Sequence, residues 1–450
     1  MNAYQILPKA TKSSLMVQLY GMNIKVVGGQ ILTGQITPSG SKNAAVALIP
    51  TTLLFDKPVT LKNVPDITDV SRLVDILQSL GSHITWDKSA SIMTIDNSQV
   101  KFDPIESSDV KSAKGIRGTT LLWGPMLARF HKAESSEQPA GCTLGARPID
   151  AHYLAFTDLG VKVTTTNNHV FLDSASAKAG QVWLTETSPT ATENIINFAV
   201  TLPGTTTIIH AATEPNVQQL CTFLNSCGAK ISGIGSSVLT IDGGHPLTPT
   251  EVTIDSDLYE IATFLALGAA TGGQISVTHA LPQYMTAITR EFAKFGITIT
   301  YSGDTATVAA GQKPHIGKTT SPLIVRAQPW PALPVDTLPL FIPLALSSPS
   351  GQVMFHNWMY ESGLFWTSEL SKMGANIVMC DPHRVLVTGG NKLTGATLDA
   401  PYIIRAVASM VMCAMIADGE TIINNADSIH RGHPNFVANL KRLGAKIDEF

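Results

Sequence analysis

The sequence predicts an α/β protein of two domains, each made of three copies of one helix–strand unit. The prediction starts from a pattern, an amphipathic stretch ending in x-G-x-x-[IV], that recurs six times in the 450 residues. Intervals of 79 and 68 residues separate the first three glycines of the pattern, and intervals of 78 and 70 separate the last three. Because the two sets of intervals match, two domains of three units are favoured over a uniform solenoid. The glycines are Gly81, Gly160, Gly228, Gly296, Gly374 and Gly444.

Each copy of the pattern predicts an outer helix followed by a strand. A glycine at the end of an amphipathic stretch is typical of the left-handed C′ position that closes a helix. Most copies continue into a second β-rich run, as in KISGIGSSVLTID and TITYSGDTATVAA, which predicts a hairpin. The unit is therefore expected to end in two short antiparallel strands.

A second helix, apolar on all sides, precedes most copies. Examples are DSDLYEIATFLALGAATGGQISVTHA and APYIIRAVASMVMCAMIADGETIINNA. A helix without a polar face must be buried on every side. We therefore expect the three units of each domain to enclose their inner helices.

The chain is expected to begin and end in the same domain. The last copy, RLGAKIDEF, stops where its hairpin should begin, and the alternating stretch MNIKVVGGQILTGQITPSG can supply the missing strands. The predicted domains are residues 1–41 together with 255–450, and residues 42–254, so the chain crosses between them near Ser41 and near Ile254. Two crossings form a hinge, and a cleft between the domains is the expected ligand site.

Composition excludes several classes of protein. Hydrophobic residues make up 44% of the chain and charged residues 14%, as in a globular protein with a large core. The net charge of −3 gives no overall attraction to nucleic acid or to a membrane surface, so an anionic ligand must meet a local basic cluster. The apolar run AVASMVMCAMIA near the C-terminus has 12 residues, too few to span a bilayer.

Five scattered cysteines and the N-terminal sequence favour a soluble protein of the reducing cytoplasm. No C-x-x-C or Cys/His spacing indicates zinc or a disulfide framework. The first residues, MNAYQILPKATKSSLMVQLYG, lack the apolar h-region of a signal peptide. Cys221, Cys227 and Cys413 lie in or near apolar helical patterns, where we expect them to be buried.

Cys142 lies in a different setting, in the predicted domain of residues 42–254. The strand expected after LLWGPMLARF is replaced by HKAESSEQPAGCTLGARPID, whose polar run, proline and small residues predict an exposed loop. The alternative is burial, the commonest fate of a free cysteine. Arg147 would lower the pKa of the thiol if the two side chains are close. We favour a reactive thiol on a loop.

Basic residues recur where inner helices begin. SGSKNAA places Lys42 and Asn43 at the start of one such helix, where free backbone N–H groups attract anions, and GIRGTT places Arg117 at the equivalent point of the next unit. Arg405 lies inside an apolar helix and needs an anionic partner there. Arg431, in IHRGHP, is either a solvated surface residue or a further member of this group. Together these side chains predict a cleft that binds carboxylate or phosphate.

An acidic residue follows a proline-rich insertion in the fifth unit. The stretch RAQPWPALPVDTLPLF places Asp336 just ahead of an inner helix. A single aspartate in such a position is more often an N-cap than a catalytic base, and both interpretations stay open from these residues alone.

Several of these segments together resemble a known family. SGSKNAA, GPMLARF, AGCTLGARPIDAH, LPVD, IIRAVAS and IHRG with LKRLGAKI resemble the UDP-N-acetylglucosamine enolpyruvyl transferases (1-carboxyvinyltransferases) of peptidoglycan synthesis. The resemblance runs from about Met22 to the C-terminus. It implies a two-domain inside-out α/β barrel with six βαβαββ-type units, three per domain, and a double crossover. The related enolpyruvylshikimate phosphate synthases share that fold but lack the Cys-x-x-Gly-Ala-Arg-Pro loop.

The resemblance also implies roles for individual residues. Cys142 corresponds to the proton donor to the enolpyruvyl methylene, and Asp336 to the acid near the sugar hydroxyl. Lys42 and Arg431 are implied as further catalytic residues. The residues implied around phosphoenolpyruvate are Lys42, Asn43, Arg405 and Arg431. Those implied around the nucleotide sugar are Arg117, Arg147, Pro148, Ile149, Asp150, Ala151, Thr187, Ser188, Asp336 and Met359.

In the reaction that the resemblance implies, the sugar 3′-hydroxyl adds to C2 of phosphoenolpyruvate while C3 is protonated, and phosphate leaves the tetrahedral intermediate. A thiol is mostly protonated at neutral pH and can supply the proton to C3. The basic residues neutralise the substrate and the leaving phosphate, and Asp336 positions or deprotonates the hydroxyl. The implied partners are two small-molecule substrates. No metal, organic cofactor, nucleic acid or membrane is implied.

Three positions depart from the family's pattern. Glu186, in ETSPTAT, stands where the family has a lysine near the diphosphate, Gly363 stands where an arginine is expected, and Ile403 replaces an acid. The phosphoenolpyruvate half of the site is thus kept while the acceptor half is altered. Two further hypotheses stay open: transfer to a different nucleotide acceptor, and a catalytically weak paralogue with a regulatory role. Retention of the implied catalytic residues argues against the paralogue.

Overall fold

A computed structural model of the chain describes residues 21–102, 117–136, 144, 148–166, 169–317 and 321–450. The strands are β1 (Ile24–Val27), β2 (Gly34–Ile36), β3 (Val59–Lys62), β4 (His83–Asp87), β5 (Ile92–Asp96), β6 (Lys132–Ser136), β7 (Lys162–Thr166), β8 (His169–Asp173), β9 (Gln181–Trp183), β10 (Gly204–Ile209), β11 (Lys230–Ser232), β12 (Val238–Gly243), β13 (Val252–Thr253), β14 (Ile275–Val277), β15 (Ile299–Ser302), β16 (Thr305–Val308), β17 (Leu323–Arg326), β18 (Gln352–His356), β19 (Asn376–Asp381), β20 (Arg384–Thr388), β21 (Thr397–Asp399), β22 (Glu420–Asn424) and β23 (Ile447–Glu449).

Helices alternate with these strands and confirm an α/β fold. The α-helices are α1 (Lys42–Thr51), α2 (Thr68–Ser79), α3 (Trp123–Phe130), α4 (Asp150–Asp158), α5 (Pro189–Ala199), α6 (Pro215–Ser226), α7 (Leu258–Thr271), α8 (Thr286–Lys294), α9 (Phe341–Ser347), α10 (Ile404–Ile416) and α11 (Phe436–Arg442). In addition, 3₁₀ helices cover Thr52–Leu54, Arg117–Leu122, Pro282–Tyr284, Val335–Leu340, Phe365–Met373 and Ala426–Arg431.

The six glycines of the recurring pattern end helices in the left-handed conformation that was predicted. Their φ angles lie between 72° and 107°, a range that is costly for residues with a Cβ atom. Each glycine is followed within a few residues by a strand, for example β15 after Gly296 and β23 after Gly444. The local prediction of a helix, a glycine and then a strand is therefore confirmed at these positions.

The strands form six small sheets in the described part of the chain. Five have four strands, in the orders β21-β22-β1-β23, β11-β12-β10-β9, β13-β3-β5-β4, β15-β16-β14-β2 and β17-β18-β20-β19. The sixth has three strands, in the order β6-β8-β7. In each four-stranded sheet, one edge strand pairs in parallel with its neighbour and the other pairs are antiparallel.

The first two strands of the chain belong to sheets formed mainly by its second half. β1 lies between β22 and β23 and is antiparallel to both, with Ile24 opposite Ile423 and Glu449. β2 pairs in parallel with β14. Strands more than 200 residues apart in sequence therefore share hydrogen bonds, which closes the C-terminal sheet with residues from the start of the chain.

Buried apolar side chains form two separate clusters. The first core draws on residues 24–36 and 258–447, and the second core on residues 44–254. In the first core, α10 is buried at every position from Ile404 to Met415. This burial is what its lack of a polar face predicts. The chain passes from the first core to the second between β2 and α1 and returns between β13 and α7.

The prediction that the second unit loses its strand to a loop was wrong for its first residues. Lys132–Ser136 form β6, which pairs with β8 along its whole length. Ala133 is buried while Lys132 is exposed, so the segment has one inward and one outward face despite its polarity. As an edge strand of the described sheet, β6 is held by backbone hydrogen bonds and needs few apolar side chains.

Three cysteines are buried as predicted, namely Cys221, Cys227 and Cys413, whereas Cys380 is exposed on β19. Burial raises the pKa of Cys221 to about 12. The Cys221 thiol therefore stays protonated and inert at neutral pH. In the part of the chain that the structure describes, none of the helices combines the length and the apolar character needed to cross a membrane.

Candidate active site

Lys42 begins α1 where the chain passes from the first core to the second. Ser41 caps this helix, its Oγ accepting a hydrogen bond from the backbone N–H of Ala44 at 3.3 Å. The backbone N–H of Lys42 donates to Asp257 Oδ2 at 3.0 Å. Its side chain is only 16% exposed, and its Nζ lies 2.6 Å from Asp69 Oδ2. The position of Lys42 at the helix start is as predicted.

Asp69, on α2, joins Lys42 to Arg431. Arg431 is buried and donates from Nε to Asp69 Oδ1 at 2.9 Å and from Nη2 to Asp69 Oδ2 at 3.0 Å, a bidentate pair. Burial alone would raise the pKa of Asp69, but Lys42 and Arg431 hold it below its usual value. The carboxylate therefore stays ionised between two cations, and the alternative of a solvated Arg431 is wrong.

Arg405 supplies a third cation from inside α10. Its Nη2 lies 3.5 Å from Asp257 Oδ1, its Nη1 bonds Nε2 of the buried His433, and its guanidinium lies 5.1 Å from the centre of the Tyr259 ring. The anionic partner that burial demands is thus Asp257. Nε of Arg405 is buried and has no hydrogen-bond partner within the described residues. A buried donor without a partner is suited to a ligand.

Asp257 and Glu260 fix the two crossings of the chain against each other. Asp257 caps α7, accepting from the backbone N–H groups of Tyr259 at 3.0 Å and Glu260 at 2.9 Å. Glu260 Oε2 accepts from the backbone N–H of Ser39 at 2.9 Å. Although burial would raise the pKa of Glu260, the neighbouring His433 and Ser39 lower it. Two carboxylates, one at the N-cap and one in the first turn of α7, therefore hold the backbone that leads into α1.

The arrangement brings three cations to one place from both cores. Lys42 and its partner Asp69 belong to elements of the second core, whereas Arg405 and Arg431 belong to the first. Carboxylates of the protein now neutralise these cations, and a planar carboxylate or a phosphate offers the same bidentate geometry. The cluster of Lys42, Arg405 and Arg431 is therefore chemically suited to a small, multiply charged anion.

Asn43 lies beside this cluster, in a small pocket at the crossings. The pocket has a volume of about 20 Å³ and lies between α1, the start of α7 and the start of α6. Its lining includes Asn43, Asn216, Asp255 and Tyr259. Polar side chains from both cores therefore meet next to the cations.

Asp336 lies near Tyr259 and close to the cationic cluster. It is in the first turn of the 3₁₀ helix Val335–Leu340, whose N-cap is Pro334, and it is half-buried. Burial, together with Asp336, Glu214 and Asp257, raises the pKa of Tyr259. The Asp336 side chain makes no hydrogen bond or ion pair with any of the described residues. It does not cap the helix, so its carboxylate is available to a ligand.

The N-termini of α4 and α5 form a second polar region. His152 on α4 bonds Thr190 Oγ1 through Nε2 at 3.1 Å and Asn194 Nδ2 through Nδ1 at 3.0 Å. Ser188 caps α5 by accepting from the backbone N–H of Ala191 at 3.3 Å. These bonds place two helix N-termini side by side, where unpaired backbone N–H groups favour anions.

Most of the residues implied around the nucleotide sugar lie at these two helix starts. Pro148 and Asp150 are exposed, Thr187 is half-buried, and Ile149 and Ala151 are buried. The two buried residues can contact a ligand chiefly through their backbone. Another member of the set lies elsewhere: Met359 is half-buried in the segment after β18.

Some of the sequence-predicted residues are not placed. Cys142 and Arg147 lie outside the described residues, and for Arg117 only the backbone is described, as the first residue of its 3₁₀ helix. Between residues 137 and 147 the structure describes Leu144 alone. The backbone carbonyl of Leu144 accepts from the N–H of Ser362 at 3.2 Å, and its side chain packs against the first core. A residue two positions after Cys142 therefore touches the first core.

The three departures from the family's pattern have different surroundings. Glu186 is exposed immediately before the cap of α5. Gly363 is buried, and a Cβ atom there would lie 2.3 Å from Nδ2 of Asn357, so a side chain cannot be accommodated without movement of Asn357. Ile403 is buried at the N-cap of α10 and provides no side-chain cap.

The sequence interpretation missed the acids that organise the cluster. Asp257 carried a signal, because D-x-x-E before an apolar run, with Glu260 in the fourth place, is the capping-box pattern. Asp69 carried none of comparable strength, since an acid in the first turn of an amphipathic helix is common. His433 was also missed, although it follows Arg431 in the same quoted motif.

Comparison with known proteins gives a consistent result. A family model described as EPSP synthase (3-phosphoshikimate 1-carboxyvinyltransferase) matches residues 26–440. A UDP-N-acetylglucosamine 1-carboxyvinyltransferase of Treponema denticola is 38% identical, covering 94% of this chain and 98% of the relative. Enzymes of the same name from Borreliella burgdorferi and Bacteroides thetaiotaomicron are 38% and 36% identical, over 94% of this chain and 97% and 98% of theirs.

Solved structures show the same fold at lower identity. The enolpyruvyl transferase NikO of Streptomyces tendae has a TM-score of 0.83 at 21% identity, covering 96% of this chain and 99% of that one. EPSP synthase of Acinetobacter baumannii has a TM-score of 0.71 at 16% identity, covering 95% of this chain and 100% of that one.

Proposed function

Because the chain belongs to the EPSP synthase family and to its UDP-N-acetylglucosamine 1-carboxyvinyltransferases, we propose that it transfers the enolpyruvyl group of phosphoenolpyruvate to the 3′-hydroxyl of UDP-N-acetylglucosamine. The reaction releases phosphate and is a step of peptidoglycan synthesis. Because phosphoenolpyruvate is a metabolite of the cytoplasm, we place the reaction there. The observation that carries the proposal is the convergence of Lys42, Arg405 and Arg431 from both cores.

Phosphoenolpyruvate fits the charge of this cluster. It carries a carboxylate and a phosphate, and bidentate arginines recognise both groups. Arg405 has a buried Nε donor with no partner among the described residues, while Lys42 and Arg431 share one carboxylate, Asp69. Bound phosphoenolpyruvate would bring additional negative charge to a cluster in which these cations already lie close together. The same cations would stabilise phosphate as it leaves the tetrahedral intermediate.

The addition step needs a proton donor for C3 and an acceptor for the hydroxyl proton. We assign the first role to Cys142 from its place in the family's motif, and the second to Asp336. The C2–O bond forms as the hydroxyl proton passes to Asp336 and the thiol proton to C3. Elimination then returns a proton from C3 to the Cys142 thiolate and breaks the bond between C2 and the phosphate oxygen, which restores the double bond. The half-buried Asp336 carboxylate, which does not cap its helix, supports the assignment.

The nucleotide sugar is assigned to the starts of α4 and α5. Pro148 and Asp150 are exposed there, and Thr187 and Ser188 lie at the cap of α5. We further assign Arg117 and Arg147 to this half of the site, with Ile149, Ala151 and Met359 as apolar contacts. The side-by-side helix N-termini suit the diphosphate.

For the architecture we propose two domains, residues 1–41 with 255–450 and residues 42–254, arranged as an inside-out α/β barrel with a double crossover. Supporting this division are the two buried cores and the passage of the chain between them before α1 and after β13. Six sheets outside buried inner helices support six βαβαββ units, three per domain. The substrates would then bind in the cleft between the domains.

A different nucleotide acceptor is the second candidate, and Glu186 is the observation that favours it. An exposed carboxylate at the start of α5 repels a diphosphate, whereas a lysine would attract it. The same position would tolerate an acceptor with less negative charge. The identity of 38% to named relatives keeps UDP-N-acetylglucosamine as the first choice.

The test is phosphate release from phosphoenolpyruvate by the purified chain, first with UDP-N-acetylglucosamine and then with UMP and other nucleotides. We expect turnover with UDP-N-acetylglucosamine and production of its enolpyruvyl ether. In the matched variant Cys142→Ala, turnover should be lost while UDP-N-acetylglucosamine still binds. Turnover with another nucleotide alone would contradict the first candidate, and unchanged turnover in Cys142→Ala would remove the thiol from the mechanism.

A further inference from the structure

The outward face of the sheet β17-β18-β20-β19 carries an apolar row across all four strands. Register places Ile324 beside Met354, Met354 beside Leu386, and Leu386 beside Val378. Ile324 is 48% exposed and Val378 is 54% exposed, while Met354 and Leu386 are half-buried by the neighbouring rows. Side chains of the opposite face, such as Phe355, fill the first core, so this row is a second apolar surface on the same sheet.

Among the described residues, an apolar row across four strands is confined to this sheet, and in the sheet β11-β12-β10-β9 a shorter row of Trp183, Ile209 and Val238 crosses three strands. The corresponding outward positions are Thr60, Thr94 and Thr85 in one sheet, Gln35, Ser276, Thr307 and Thr300 in another, and Gln181, Thr207, Thr240 and Ser232 in a third. Hydroxyls in two of these rows bond each other, as in the 2.9 Å contact of Ser276 with Thr307. Threonine and serine are ordinary on a solvated sheet face, whereas four adjoining apolar side chains indicate a contact surface.

A charged row lies next to the apolar row and is asymmetric. It runs from Arg326 through His356 and Arg384 to Asp381, in the same order of strands. Asp381 pairs with Arg384 at 2.6 Å, whereas Arg326 makes no ion pair with any described residue. Burial and the charges of Arg326 and Arg384 lower the pKa of His356, so the imidazole is neutral at pH 7. One edge of the row is therefore basic and the other edge carries the acid.

We propose that this face binds the same face of a second copy of the chain, around a twofold axis parallel to the strands. Such an axis reverses the order of strands and keeps the rows in register. Ile324 then lies over the partner's Val378, and Met354 over the partner's Leu386. Arg326 at one edge meets the partner's Asp381, so the same charge pair forms twice in the dimer. Sheets stacked face to face in this way lie ~10 Å apart.

The expected dimer is weak and depends on concentration. Four strands ~4.8 Å apart and about five residues long give a face of only a few hundred Å². Stable interfaces bury roughly 800 Å² on each partner. We therefore expect a dissociation constant in the micromolar range, with the catalytic cluster unaffected because it lies on other elements.

Sedimentation equilibrium of the full chain from about 1 to about 200 μM tests the proposal. The wild-type chain should pass from monomer to dimer across this range. Met354→Thr combined with Leu386→Thr, which copies the residues of the other sheets, should weaken association at least ~10-fold without loss of turnover. Lys230→Glu, an exposed cation on the outward side of β11, is the control and should change nothing. A chain that stays monomeric, or a dimer that ignores the threonine pair, would overturn the proposal.

A mixing experiment tests the twofold geometry. Arg326→Glu and Asp381→Lys should each weaken self-association, because each variant places like charges at both edges of the dimer. Mixed in equal amounts, they should form a heterodimer. At one edge the introduced glutamate then faces the introduced lysine, and at the other edge the unchanged Asp381 of the first variant faces the unchanged Arg326 of the second. Association of each variant alone as tightly as wild type, or no heterodimer on mixing, would rule out this arrangement.

Discussion

Asp69 holds two cations with one carboxylate, Lys42 at 2.6 Å and Arg431 at 2.9 and 3.0 Å. Because both cations are mostly buried, removal of the shared charge leaves them facing each other without compensation. Breaking a buried ion pair from one side typically costs about 3–5 kcal/mol. We therefore expect Asp69→Asn to lower the melting temperature in phosphate-free buffer by several degrees.

Phosphate should recover more stability in this variant than in the wild-type chain, because an added anion replaces the missing charge. The measurement is thermal unfolding with and without saturating phosphate. Asp66→Asn is the matched control, since Asp66 pairs with Lys88 on the surface at 2.8 Å and should have little effect. Equal responses of the Asp69 and Asp66 variants to phosphate would show that the cluster does not bind an anion.

Glu193 is a buried acid whose ionisation opposes folding. Burial raises its pKa from 4.5 to about 8, with Asn216 donating the hydrogen bond that partly offsets this and Glu214 adding to the rise. The unfolded chain loses this proton near pH 4.5, whereas the folded chain keeps it until about pH 8. The contribution of protonated Glu193 to the stability of the folded chain is therefore complete below pH 4.5. It is lost as the pH rises to 8.

Glu193→Gln should therefore stabilise the chain at about pH 8 by a few degrees and have a much smaller effect at about pH 5, because glutamine copies the protonated acid. Thermal unfolding at the two pH values measures this. Glu186→Gln, at an exposed position, should show no such difference between the two pH values. A Glu193→Gln effect that is the same at both values would contradict the raised pKa.

The sequence predicted the positions of some site residues and missed others. The helix start at Lys42 and the burial of Arg405 were accessible, because each follows from a local pattern of apolar and small residues. Asp69 and His433 were not, since their role depends on contacts between segments far apart in the chain. The spacing of residues along one sequence does not show which distant residues will pair in the fold.

Among the elements, the segment after β18 is fixed by close packing of backbone and amide. Gly363 is buried, and a Cβ atom there would approach Asn357 Nδ2 to 2.3 Å. Oδ1 of the same amide accepts from the backbone N–H of Tyr360 at 3.2 Å, so it cannot turn away without losing a bond. We expect Gly363→Ala to destabilise the chain by about 1–3 kcal/mol through overpacking.

A double variant isolates this clash. Asn357→Ala alone should also destabilise, because it removes the bond to Tyr360. Gly363→Ala combined with Asn357→Ala should cost less than the sum of the two, since the added methyl then has room. Urea unfolding of the three variants gives the coupling energy. Strict additivity would show that the glycine is required for another reason.

Some helices and strands can be predicted from a local sequence pattern alone, and others cannot. The glycines that close outer helices were predictable because the left-handed conformation selects glycine by a local steric rule. β6 was not, because KAESS has few apolar residues and its strand is held by backbone bonds to β8. Edge strands depend on a neighbour far along the chain, and the polarity of their own residues does not reveal it.

At the scale of the whole molecule, polar contacts link the two cores. Arg431 of one side binds Asp69 of the other, Ser362 N–H donates to the carbonyl of Leu144, and Thr213 Oγ1 donates to the carbonyl of Trp330 at 2.9 Å. Each core has its own apolar interior, so the cores can in principle unfold as separate units. The substrates would add contacts to both at once.

Substrates should therefore raise the stability of both cores together. We expect the Cys142→Ala variant to bind both substrates without turnover. Each substrate, at about 100 times its dissociation constant, then adds about 2.7 kcal/mol to the free energy of unfolding of the core that it contacts. Because Lys42 and Asp69 lie in one core while Arg405 and Arg431 lie in the other, phosphoenolpyruvate with UDP-N-acetylglucosamine should shift every calorimetric transition upward and bring the transitions closer together. When Arg405→Ala is added to the same variant, phosphoenolpyruvate should no longer raise the transition temperatures. The nucleotide sugar should still raise them. If the ligands move only one of two transitions, the site lies within a single core and the interdomain cleft is not where the reaction occurs.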